Sequence, residues 1–85
     1  MKERRTTNGE LVPNSHIEII YERLRQNGAK NPYVSSIMIT MEMAQKFYAI
    51  EYTSSDSSIL YHTYVSLNYI KSVLRDKKIT ELLDE

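Results

Sequence analysis

The sequence predicts an α+β fold: an N-terminal amphipathic helix packed on a strongly bent antiparallel meander of three or more strands, with a short C-terminal helix. Three observations carry this. Residues 15–27 place Ile17, Ile20, Tyr21 and Leu24 at i, i+3, i+4 and i+7, one stripe of a helix. Residues 34–65 are rich in β-branched and aromatic side chains, which suit a pleated, half-buried surface. One polar break, Ser54-Ser55-Asp56-Ser57-Ser58, divides that run and marks a turn.

In chain order, residues 1–14 are polar and begin with Lys2, Arg4 and Arg5. Asn8-Gly9 is a type I′ turn signal that would fold Arg5-Thr6-Thr7 back on Glu10-Leu11-Val12. Only Leu11 and Val12 offer apolar surface to bury, so a flexible basic arm is favoured over a hairpin, with residues 15–85 as a single α+β domain. Pro13 ends any extended pairing. Ser15 followed by Glu18 reads as a capping box that opens the helix, and Asn27-Gly28 supplies its left-handed stop. Pro32 then holds Asn31 away from helical angles.

The first strand carries Ile37, Ile39, Met41 and Met43 on the parity expected to face inward, and Ser36, Thr40 and Glu42 on the one expected to face water. In the second, Phe47 and Ala49 oppose Tyr48, Ile50 and Tyr52, so both faces are apolar, as in a central strand or an exposed aromatic surface. Met41 to Lys46 are good helix formers, but the apolar residues of this region scatter round a helical wheel and form no stripe. The turn is expected near Ala44-Gln45, with no Gly or Pro to mark it. A third strand is expected over Ile59 to Val65.

Two readings compete after Val65. As a helix, Ser66 would cap a stripe of Leu67, Ile70, Val73 and Leu74; Ile79, Leu82 and Leu83 fall off that stripe, which argues against one straight helix to the end. Alternatively, Val65 to Tyr69 makes a tight turn and Ile70-Lys71-Ser72-Val73 a closing strand. An N-terminal helix, a bent antiparallel sheet and an Ile-x-x-Val closing strand resemble the layout of the Sm-like and SH3-like small barrels, and this resemblance implies a closed barrel. Residues 79–85 read as a short terminal helix in either case.

With 85 residues the chain has room for one modest core. It contains no Cys, which removes disulfides and handicaps a structural metal, so self-association is the remaining aid to stability. Eleven basic side chains balance eleven acidic ones, giving no global field toward nucleic acid or anionic membranes. No apolar run approaches the roughly 20 residues of a membrane span, and the first fifteen residues lack the apolar middle of a secretory signal. A cytoplasmic location without membrane attachment is the expectation.

Chemistry is sparsely marked. His16, beside the helix start, is expected to be exposed; His62 is expected to be partly buried with a hydrogen-bonded ring, since no nucleophile or orienting carboxylate is nominated for it. His16-x-Glu18 is not a metal pair on a helix, Asp56 is the one carboxylate of its loop, and Gly9 and Gly28 lie too far apart for a phosphate cradle. No catalytic, cofactor-binding or metal residue is expected.

The tyrosines are the better candidates, because Tyr gives large contact area and keeps a polar tip. Tyr48, Tyr52, Tyr61, Tyr64 and Tyr69 are accordingly the candidate partner-binding residues. The expected function is that of a small non-enzymatic interaction or regulatory protein that binds another protein or itself as a homo-oligomer. The alternative is a nucleic-acid-binding regulator in which tyrosines stack bases while Lys2, Arg4, Arg5, Lys71, Arg75, Lys77 and Lys78 hold the backbone.

Overall fold

A computed structural model describes residues 4–83, with side chains described through Lys77. The order of elements is β1 (Arg4–Arg5), β2 (Leu11–Val12), α1 (Asn14–Gln26), β3 (Tyr33–Glu42), β4 (Gln45–Thr53), β5 (Tyr61–Ser66) and α2 (Leu67–Leu83). β1 and β2 form a hairpin; β3, β4 and β5 form an antiparallel meander with β4 at the centre. The α+β class, the N-terminal helix, the central second strand and the C-terminal helix therefore stand.

The N-terminal stretch adopts the hairpin of its two readings. Arg4 faces Val12 and Arg5 faces Leu11, with Gly9 in the left-handed region at φ 88°. The hairpin is docked: the Thr7 amide donates to the Ile37 carbonyl at 2.9 Å, the Arg4 guanidinium donates to the Val34 carbonyl, and Val12 is 2% exposed. Residues 4–12 thus join the folded unit by capping part of the β3 edge.

α1 begins one residue before the expected start, and the capping box does not form. Pro13, at φ −59° and ψ 146°, takes the cap position, and its carbonyl accepts from the amides of His16 and Ile17. Ser15 is then already inside the first turn and cannot cap it. The far end follows the sequence: the Ala29 amide donates to the Leu24 carbonyl and the Gly28 amide to Arg25, a Schellman stop with Gly28 at φ 97°. Ile19 is as buried as Ile20 and Leu24, although it lies beside the expected stripe. α1 meets α2 as well as the sheet region, so its buried arc is wider than one stripe.

The register of β3 shifts between Val34 and Ser36, where Ser35 is the extra residue of a bulge and its hydroxyl donates to the Glu51 carbonyl. This lets Val34 and Ile37, three apart, both face the core. The expectation that Met41 and Met43 face inward is not met; they are 62% and 91% exposed. Residues 41–46 are all exposed, so the β3–β4 tip overhangs the layer that covers the rest of the strand. The tip itself is Met43-Ala44, with Glu42 facing Gln45, one residue before the expected turn.

β5 starts at Tyr61; Ile59 and Leu60 belong to the preceding connection and are exposed. That connection is held by Ser54, whose amide-flanking hydroxyl accepts from the Lys30 amide and donates to the Asp56 carboxylate at 2.6 Å. Asp56 is held below the usual carboxylate range, chiefly by this hydroxyl.

No closed barrel forms. Residues 70–73, the expected closing strand, lie in α2, where Ser66 caps the first turn by accepting from the Tyr69 amide at 3.2 Å. Ile70 is fully buried, with Leu67, Val73 and Leu74 packed against the same core, as the helical stripe requires. Contrary to expectation, the helix runs unbroken to Leu83. Once started on a packed stripe, it is extended by residues of good helix propensity such as Lys and Leu, whatever their phase.

Candidate functional site

Strand registers sort the meander into two faces. Ile37, Ile39, Tyr48, Ile50, Tyr52, Tyr61, Thr63 and Val65 share the face toward the core, where α2 packs on β4 and β5. Ser36, Met38, Thr40, Phe47, Ala49, Glu51, His62 and Tyr64 share the other. Met38 is 45% and Tyr64 67% exposed on that second face, so it is largely uncovered. A shallow groove of about 420 Å³ runs across it, lined by Met38, Glu51, His62 and Tyr64 among others.

The five candidate tyrosines are not brought together. Tyr48 is 3% exposed and belongs to the core. Tyr52 and Tyr61 face each other across β4 and β5, their rings stacked at 5.5 Å and 24° at the end of the core face. Tyr69 is half-buried on α2 under the Arg23 guanidinium, 5.2 Å from the ring centre. Tyr64 alone of the five stands on the bare face. Sequence reasoning missed Met38 there, although an apolar residue on the otherwise polar parity of Ser36 and Thr40 was the available signal.

The cationic candidates divide similarly. Lys2 lies outside the described residues, as does the Lys78 side chain. Arg4 and Arg5 are tied to backbone carbonyls, Val34 and Gly9 respectively. Lys71, Arg75 and Lys77 are exposed on α2, in the layer opposite Tyr64. The exposed Tyr64 and the exposed cations of α2 therefore do not share a surface.

Both histidine expectations are reversed. His16 is half-buried, its Nδ1 2.8 Å from the Tyr48 hydroxyl and the rings edge-on at 5.9 Å. Burial first, and the Lys71 ammonium second, lower the His16 pKa from 6.5; burial first, and Glu10 second, raise that of Tyr48 from 10.0. A neutral imidazole accepting from the phenol is the arrangement this environment favours.

The folded chain thus takes up a proton at His16 less readily than the unfolded chain. Its contribution to stability is complete above pH 6.5 and is lost as pH falls from there through the depressed folded value. Urea midpoints measured from about pH 8 to about pH 5 should fall more steeply for the native chain than for His16→Gln. Equal slopes would remove the role given to this pair.

His62 is 63% exposed, its Nε2 4.0 Å from Glu51 Oε1, while the Ser36 hydroxyl donates to Glu51 Oε2 at 3.2 Å. The order is serine, carboxylate, imidazole. The carboxylate stands between the hydroxyl and the imidazole, so the cluster differs in order from the hydroxyl, imidazole, carboxylate sequence of a Ser-His-Asp triad. Exposed as it is, it serves as a polar ladder across the strands. Among the described residues no three His, Asp or Glu side chains gather to hold a metal, and no helix is long and apolar enough to cross a membrane.

Three adjoining features remain among the described residues: an α+β meander with helices on one face, a bare opposite face, and a strand edge with no neighbouring strand beside it. Compared with known proteins, the chain matches no family model, no curated protein and no solved structure.

Proposed function

We propose that this is a non-enzymatic, self-associating interaction protein of regulatory type, whose contact region is the β5 side of the sheet. The observation that carries the reading is that β5, with its own His62 and Tyr64 exposed, ends the sheet without a neighbouring strand among the described residues, while the helices occupy the core face. A second copy is the occupant to which the chain is best matched. Its formal charge is zero, so two copies meet without net repulsion, and a chain this short gains stability by association.

Light scattering on a sizing column at about 100 μM should give the mass of a dimer, unchanged by moderate salt. A monomer at that concentration overturns the reading. The nucleic-acid alternative predicts instead a gel shift that weakens steeply with salt. The exposed Tyr64 stands on the layer opposite Lys71, Arg75 and Lys77, which disfavours this alternative.

A further inference from the structure

We propose that two copies pair through β5, antiparallel about a two-fold axis at Thr63, to make one six-stranded sheet with all helices on one face. This rests on the self-association proposed above and supplies its geometry. Among the described residues β5 pairs only with β4, so its far side is an open row of backbone donors and acceptors. Such edges are ordinarily guarded by Lys, Pro or a bulge. Tyr61-His62-Thr63-Tyr64-Val65-Ser66 has none of these, and its pairing with β4 is regular throughout. The other edge strand, β3, is by contrast partly occupied by the docked hairpin through Thr7 and Arg4.

The side chains select the register. In an antiparallel pair, facing residues lie on the same side of the sheet, so only registers centred on a residue are allowed. Centring on Thr63 sets Thr63 against its own copy, His62 against the second copy's Tyr64, and Tyr61 against the second copy's Val65. These are Thr with Thr, ring with ring, and aromatic with β-branched, all favourable cross-strand combinations. No like charges face each other. Centring on Tyr64 instead sets His62 against Ser66 and leaves Tyr61 without a partner.

A strand of six residues is about 20 Å long, an interface at the small end, so association belongs in the micromolar range. The pairing also joins the two bare faces into one, with two copies of the His62 and Tyr64 rings at its centre.

Charge exchange tests it at two exposed positions. H62K/Y64K sets lysines opposite each other across the axis and should raise the dissociation constant about tenfold or more; H62E/Y64E should do the same. Mixing the two should restore a dimer containing one copy of each, which also shows that both variants fold. Thr63→Cys should form a disulfide between copies under mild oxidation, since the chain has no Cys of its own, and faster than Tyr64→Cys. If the native chain is a dimer that neither charged variant weakens, or mixing restores nothing, the β5 pairing is overturned while self-association stands. Faster linking by Tyr64→Cys overturns the Thr63 register. A native monomer overturns both.

Discussion

Ile70→Ala is expected to destabilise the protein by about 3 kcal/mol, lowering its thermal midpoint by roughly 12–24 °C. Ile70 is fully buried in the first turns of α2, amid a core to which Ile20, Leu24, Ile37 and Ile50 contribute from α1, β3 and β4. Deleting its branched side chain removes apolar contact and leaves a cavity that a close-packed interior only partly refills. A domain of this size has about 5–10 kcal/mol in total, so a third or more of the margin rests on this residue. Lys71→Ala, one residue on and exposed, should change the stability by no more than about 0.5 kcal/mol. The contrast, read by thermal or urea unfolding, checks the helical placement of residues 67–74. Equal effects at the two positions would contradict it.

The second large effect is a gain. Met43 and Ala44 form the two central residues of the β3–β4 turn with φ of 52° and 63°, the left-handed angles of a type I′ turn. Side chains other than Gly, Asn and Asp occupy that region at a cost of about 1 kcal/mol or more each. Met43 is 91% exposed, so its replacement sacrifices no packing. M43N/A44G supplies the turn's preferred residues and should stabilise the protein by about 1–2 kcal/mol, seen as a higher urea midpoint with an unchanged slope. A loss of stability would mean that the turn is of another type. The unfavourable pair also explains why the sequence placed this turn one residue late: its residues advertise a helix, and the angles are imposed by the two paired strands.

The same competition between local and distant forces accounts for the other departures. Ser15 and Glu18 have the spacing of a capping box, but Pro13 fixes its own φ and starts the helix before Ser15 can act as cap. The phase of β3 could be read forward from Ile37, yet the Ser35 bulge, set by the fit against Glu51, resets it behind that point. His16 and His62 exchanged their expected environments because burial follows which helix covers which strand, and neither neighbour is close in sequence. Tyr48 meets His16 across 32 residues and Glu51 meets His62 across a strand pair. The first contact lies outside any local window, and the second appears only once β4 and β5 are paired in register.

By itself the amino-acid order determined the α1 helix, the strand character of the middle of the chain and the Gly28 stop, because each is settled by torsional preference, hydrogen bonds or periodicity within a few residues; the Asn8-Gly9 turn and the Ser66 cap it offered only as one of two readings each. Folding decided the rest: that residues 67–83 continue as helix and close no barrel, that four of the five candidate tyrosines leave the bare face, and that the β5 edge is left open. Those outcomes depend on which apolar surfaces meet first and most fully, a property of the packed whole that has no local signature.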